Sequence, residues 1–259
     1  MDYAELTWKD VEQLDPDTIF FLSVSPMEAH GPHLPLGTDF YVAREIERRT
    51  MQRLEKEHSV VSLPSLPIGA CRMTRDFPGS MSMGWRTVRD TVAEQLRLVS
   101  DMDFSYLMLL TFHMDLHHVK AIHAAMKKAS RHGLTVCEPL TPHFYQGTLW
   151  PPMDEGEVHA DAKETSLGLA LFPELLRNWQ KQPPVDVDVG GPAALYHTMR
   201  ELGAEQGYVG TPSRATREYG ELFMEQMTDI CVDAARALPA GEALPRLPAR
   251  IRFLFRFVR

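Results

Sequence analysis

Thr18-Ile19-Phe20-Phe21-Leu22-Ser23-Val24, followed at once by Ser25-Pro26-Met27-Glu28-Ala29-His30-Gly31-Pro32-His33-Leu34-Pro35-Leu36-Gly37-Thr38-Asp39, is the stretch on which the fold turns. Its first seven residues are almost continuously apolar, with β-branched and aromatic side chains, which is how a strand buried on both faces of a parallel sheet reads. The segment that follows brings Glu28, His30, His33 and Asp39 into a short turn-rich run with Gly31 and Gly37 to bend it. Carboxylates and imidazoles crowded at the carboxyl end of a core strand point to a metal.

The same arrangement recurs downstream. Ser105-Tyr106-Leu107-Met108-Leu109-Leu110-Thr111-Phe112 reads as a second central strand, and its end delivers His113-Met114-Asp115-Leu116-His117-His118. Val60-Val61-Ser62-Leu63 and Leu134-Thr135-Val136-Cys137-Glu138 are shorter strand candidates. Between the strands, apolar residues fall at helical spacing: Ala43, Ile46 and Leu54 from Thr38 or Asp39 to Glu57, then Trp85, Val88, Val92, Leu96 and Val99, then a helix from about Leu116 to Arg131 that Gly133 ends. Strands alternating with helices predict an α/β fold, a three-layer α/β/α sandwich with a mainly parallel central sheet.

Later segments complete the reading. Helices are expected from His159 into Leu171 and from Arg217 to Ala237, and Pro139 to Glu157 reads as a loop over the site carrying Phe144, Tyr145 and Trp150. Gln182 through Gly191 has no core pattern and reads as an excursion. The terminal run Ile251-Arg252-Phe253-Leu254-Phe255-Arg256-Phe257-Val258-Arg259 would put Ile251, Phe253, Phe255 and Phe257 on one face if extended, so residues 245–259 are a candidate subunit contact or a strand laid on the chain's own core. The expectation is one domain over residues 1–259, a length sufficient for a full core.

Composition narrows the partners. The formal charge is −8 with both signs dispersed, which gives no electrostatic footprint for nucleic acid. Three separated cysteines, Cys71, Cys137 and Cys231, argue against a disulfide scaffold and for a reducing compartment. The start of the chain lacks a basic region and apolar signal core, and no apolar run approaches the roughly 20 residues needed to span a bilayer. A cytoplasmic protein with no membrane partner is therefore expected.

Asp39 has two oxygens and can bridge two cations, with Glu28 and His113 on one and His30 and Asp115 on the other. This set suits zinc or manganese, and admits iron, because no thiolate cluster selects a structural zinc site. A hydroxide held between the two cations is then the expected nucleophile.

At this point the chain resembles the creatininase, or creatinine amidohydrolase, family. Glu28 through Asp39 matches the family's Glu-x-His-Gly-x-His-Leu-Pro-Leu-Gly-Thr-Asp motif. Phe77-Pro78-Gly79-Ser80 is similar to its Phe-Pro-Gly-Thr segment, His159-Ala160-Asp161-Ala162-Lys163-Glu164-Thr165-Ser166 to its His-Ala-Gly-x-x-Glu-Thr-Ser segment, and Tyr208 through Gly220 to its late region. The likeness spans roughly residues 5 to 235. It implies an α/β/α fold, two divalent metal ions held in part by Glu28, His30, Asp39 and His113, and catalytic roles for His159 and Glu164. His159 would protonate the leaving nitrogen or polarise the carbonyl, and Glu164 would orient or deprotonate water. After the central strand, where relatives carry Asn-Gly-His-Gly-Gly-Asn or a histidine followed two residues later by glutamate, this chain has His113-Met114-Asp115, so Asp115 is a shorter acidic substitute.

The function implied is hydrolysis of a small cyclic amide by metal-held hydroxide, with a keto-cyclitol or cyclic keto-sugar as the alternative substrate. A catalytically silent metal-binding assembly protein is the reading from another class. The family resemblance also implies a homo-oligomer, with a hexamer as the expected size. His33 is expected either to brace a ligand or to lie at the surface, His117 and His118 to pack at a helix start or face substrate, and Cys71 to be a buried thiol rather than a nucleophile.

Overall fold

The computed structural model describes residues 1–153, 156–189 and 195–258. Its centre is a four-stranded parallel sheet of β1 (Ile19–Ser23), β2 (Val60–Ser62), β3 (Tyr106–Leu110) and β4 (Thr135–Cys137), in the order β2-β1-β3-β4. Ile19 of β1 aligns with Val60 of β2 and Tyr106 of β3, and Tyr106 aligns with Thr135 of β4. Every residue of β1 is buried, as its unbroken apolar character requires.

Alternation along the strands sorts the helices into two layers. Ile19 and Phe21 of β1, with Met108 and Leu110 of β3, face a core shared with α2 (Thr38–Leu54), α6 (Ala162–Leu171) and α7 (Arg217–Ala240). Phe20, Leu22, Leu107 and Leu109 point the other way, into a core built on α3 (Trp85–Asp101) and α4 (Leu116–Ala129). The short helix α1 (Trp8–Glu12) joins that second layer through Val11. The three-layer α/β/α sandwich is thus a direct consequence of period-two side-chain direction in strands whose two faces are both apolar.

The strand order places the site. From β1 the chain moves to β2 on one side, then crosses to β3 on the other, so β1 and β3 flank the topological switch point. A crevice opens outside their carboxyl ends. Glu28 to Asp39 emerges from β1 there, and His113 from β3.

Two segments differ from expectation. The Pro139–Glu157 region contains a short helix, α5 (Leu140–Gln146), with Phe144 packed on Tyr145 and Trp150 at ring-centroid distances of 5.0 and 5.3 Å. Its interior rise from loop to helix follows from Glu138, whose carboxylate accepts the amides of Leu140 and Thr141. The C-terminal run is not extended: Ala249–Leu254 forms helix α8, which buries Ile251 and leaves Phe253 54% exposed, so helical rather than alternate spacing selects the inward face. Asp154, Glu155, Gly190, Gly191 and Arg259, parts of three segments considered above, lie outside the described residues.

Helix α6 is held close to α7 at Gly220, where a Cβ would collide with the backbone carbonyl of Ser166. Ser166 also receives the Thr216 amide on its hydroxyl at 3.0 Å, joining the start of α7 to the helix that carries Glu164. Gly220→Ala is therefore expected to lower stability by about 1–3 kcal/mol, read as a fall in the urea midpoint. An unchanged midpoint would contradict the close approach.

Candidate metal centre

Three histidines and three carboxylates converge at the switch point, each histidine in the same way. His30 directs Nδ1 to the Glu28 carbonyl at 3.1 Å, His113 directs Nε2 to the Ala70 carbonyl at 3.2 Å, and His159 directs Nε2 to the Ala29 carbonyl at 3.0 Å. A carbonyl only accepts, so each ring spends one N–H on backbone and turns its other nitrogen inward, which is how metal-ligating histidines are fixed.

Those inward nitrogens meet the carboxylates. His30 Nε2 lies 3.1 Å from Asp39 Oδ1, 3.6 Å from Glu164 Oε2 and 4.0 Å from Glu28 Oε1. His113 Nδ1 lies 3.0 Å from both Glu28 Oε1 and Asp39 Oδ2. His159 Nδ1 is farther out, 4.0 Å from Glu28 Oε1 and 3.9 Å from Glu164 Oε2. Asp39 reaches one histidine with each oxygen, because its place in the first turn of α2 aims the side chain back into the crevice.

Whether this set suits a cation is tested by Asp39 Oδ2. It is buried and has no hydrogen-bond partner despite lying 3.0 Å from His113 Nδ1. An anionic oxygen in the interior with an imidazole nitrogen as its neighbour is costly unless a proton on that ring or a bound cation completes it. Among the described residues, Glu28 with Cys71 and His113, and His30 with Asp39 and Glu164, form groups whose ligand atoms all lie within 4.8 Å of one another. The donor set therefore fits divalent ions.

Supporting contacts fix the ligands. Thr74 donates its hydroxyl to Glu28 Oε2, and the Ala160 amide donates to Glu164 Oε2 at 2.6 Å. Ala160 adopts φ 46°, a left-handed conformation unusual for a residue with a Cβ, and this turn aims His159 and receives Glu164 in a single step. His33 Nε2 donates to the Ala160 carbonyl at 3.0 Å, bracing the same turn.

Comparison with known proteins gives the lineage. The family model for creatininase, creatinine amidohydrolase, matches residues 4–235. The chain belongs to the creatininase family. It is similar to the creatinine amidohydrolase of Pseudomonas putida, 25% identical over 254 residues that cover 90% of this chain and 95% of that one. It is also similar to the mycofactocin precursor peptide peptidase of Mycolicibacterium smegmatis, 26% identical over 218 residues and 81% of each chain. A solved structure titled creatininase Mn superposes with a TM-score of 0.72 at 24% identity, covering 92% of this chain and 98% of that one, which confirms the fold. As a creatininase-family protein the chain is a metal-dependent hydrolase.

Within this creatininase-family site Asp115, expected as a ligand, is engaged by backbone amides. That carboxylate caps α4, accepting the His117 amide at 2.8 Å and the Met73 amide at 3.1 Å. One methylene shorter than glutamate, it is committed to backbone, and Glu164 rather than Asp115 stands beside His30 and Asp39. Cys71 is buried as expected, its thiol pushed up to about 12 chiefly by burial and by Glu28, yet it sits among the ligand candidates rather than away from them. Thr74 was hidden in the stretch before Phe77-Pro78-Gly79-Ser80, whose only sequence signal was proximity to that motif. His118 packs as expected, its Nε2 3.0 Å from the Thr111 hydroxyl, and burial lowers it to about 3. His117 lines the cavity beside the site.

Without metal, the neighbouring carboxylates favour a positive charge on His30 and His113. Burial works against a charged His30, but Asp39, Glu164 and Glu28 prevail and raise it to about 10. His113 is likewise raised, with Glu28 the strongest influence opposing burial. Asp39 and Glu28 are held below the usual carboxylate range against their burial, chiefly by His30 and His113 respectively, whereas burial raises Glu164. A histidine raised in the folded state stabilises fully below its unfolded value of about 6.5 and loses that contribution as pH rises through its folded value. The chelated protein is therefore expected to lose melting temperature from about pH 7 to about pH 10, and the metal-loaded protein to hold it better, because metal replaces those protons. Parallel melting profiles for the two forms would contradict this.

Proposed function

We propose that this creatininase-family hydrolase cleaves an amide bond at a centre of two divalent ions. Asp39 would bridge, Glu28 and His113 would complete one position, and His30 and Glu164 the other. The observation that carries this reading is the shared orientation of the histidines, each N–H spent on a backbone carbonyl, around a buried Asp39 oxygen with no hydrogen-bond partner. Oxygen and nitrogen donors suit zinc or manganese.

Bound divalent ions supply Lewis acidity that activates water and polarises the substrate carbonyl. The chain's own groups do the rest. Thr74 keeps Glu28 oriented, and the Ala160 amide keeps Glu164 pointed at His30. His159, the outermost of the three rings and 13% exposed, faces the cavity with its free Nδ1, placed to take up the proton given off by the attacking water and then to deliver it to the departing nitrogen.

Amide cleavage is preferred over keto-cyclitol hydrolysis because an amidohydrolase and a peptidase are the relatives found. A small cyclic amide is the leading substrate. A peptide is the second reading, favoured by the mycofactocin peptidase likeness and by a cavity of about 640 Å³ over the site. Assay of amine release from cyclic amides and short peptides, before and after chelation and reconstitution with Mn²⁺ or Zn²⁺, tests the proposal. Hydrolysis lost on stripping and regained on reloading is expected; turnover indifferent to metal, or none at full occupancy, would contradict it.

A further inference from the structure

The cavity over the metal-ligand cluster is not closed by the family portion of the chain alone. The family match ends at residue 235, and α8 lies beyond it, yet Ile251, Leu254 and Phe257 form part of the wall of the cavity that also contains Glu28, Asp39, His113 and Glu164. This late segment is fastened in place. Lys120 Nζ donates to the carbonyls of Phe255 and Val258, each at 2.8 Å, capturing the exposed acceptors at the end of α8. Arg250 Nη2 donates to the Tyr145 carbonyl at 2.8 Å, and Leu247 and Ile251 pack on Val119 of α4.

The chemistry of the walls is one-sided. Met73, Val189 and Met199, packed in one cluster, also line the cavity, as do Phe144 and Tyr145, the latter packed in the cluster that holds Leu254. Among the described residues no lysine or arginine lines the cavity, and its charged side chains beyond the histidines are Glu28, Asp39, Asp115 and Glu164. A substrate carboxylate or phosphate held away from the ligand cluster would find no lysine or arginine among the described lining residues. About 640 Å³ is a volume suited to a drug-sized ligand, and water left against apolar walls around a small polar ring would be poorly accommodated.

We infer that the segment around α8 forms one wall of a substrate chamber selective for an uncharged amide bearing a bulky apolar group, with Leu254 and Phe257 as specificity-determining residues. This rests on the hydrolase reading above for the position of the scissile bond, but the selectivity is a property of the chamber and can be measured by binding.

The test uses matched hydroxamates titrated calorimetrically into the metal-loaded full chain: acetohydroxamate, 4-phenylbutanohydroxamate and the hydroxamate of succinic acid. The phenylbutano ligand is expected to bind about tenfold or more tightly than acetohydroxamate, because it buries an aromatic side group, and the succinic ligand more weakly than the phenylbutano one. In Leu254→Asp the aromatic preference should collapse towards parity, and in Phe257→Ala, a change at a position 45% exposed, it should shrink while metal content stays the same. Equal affinities in the unaltered chain, failure of all three to bind, a succinic ligand bound as tightly as the aromatic one, or a preference untouched in both variants would overturn the inference. Aromatic preference without turnover of any amide would instead remove the hydrolase reading and leave the chamber standing.

Discussion

Replacing Asp39 with alanine is expected to empty both metal positions and to reduce amide turnover by on the order of a thousandfold or more, since Lewis-acid stabilisation is worth several kcal/mol and each 1.36 kcal/mol is tenfold. Asp39 sets one oxygen against each of two histidines, 3.1 Å from His30 Nε2 and 3.0 Å from His113 Nδ1. Removing it separates the two halves of the cluster and leaves His30 without its nearest anion, while His113 keeps only Glu28 at that distance. Glu28→Ala should be less complete, because Glu28 Oε1 lies 3.0 Å from His113 but 4.0 Å from His30. Elemental analysis of both variants after reconstitution measures this. Full occupancy in Asp39→Ala would sink the bridging role.

His159→Gln is expected to separate binding from chemistry. A glutamine can still donate an N–H to the Ala29 carbonyl, as His159 Nε2 does at 3.0 Å, but it has no counterpart of the free Nδ1 that faces Glu28 and Glu164. Metal content should be retained and kcat should fall by about 10²- to 10⁴-fold, the usual range for removing a general acid or base. Unchanged kcat would take His159 out of the reaction. Loss of one metal equivalent would make it a ligand, since Glu28, His30 and His159 also lie within ligand distance of one another.

Much of this was legible in the sequence because the sheet is buried on both faces. Unbroken apolar runs at Ile19–Ser23 and Tyr106–Leu110 mark parallel core strands, and the polar residues that follow them must then lie at carboxyl ends, where α/β sheets bind ligands. Glu28, His30, Asp39 and His113 are brought together as that logic requires. Glu164 was legible as a site residue but not in its place beside His30, which depends on the left-handed turn at Ala160 and on how closely α6 meets α7 at Gly220.

Asp115 lies in the same cavity but is held differently. Alternate spacing with His113 made it look like a ligand, but the same position begins α4, and a short carboxylate at a helix start is satisfied by backbone amides first. The C-terminal run misled for a related reason. Ile251, Phe253, Phe255 and Phe257 alternate perfectly, yet Lys120, far off in sequence, captures the carbonyls that end α8 and favours the helical face bearing Ile251 and Leu254. Such long-range partners leave no local trace in sequence.

The most direct measurement of the two-ion centre is anomalous scattering from crystals of the protein loaded with Mn²⁺. Two peaks are expected, with Asp39 between them, one beside Glu28 and His113 and the other beside His30 and Glu164. A single peak, or a second ion held by Asp115 in place of Glu164, would contradict the account.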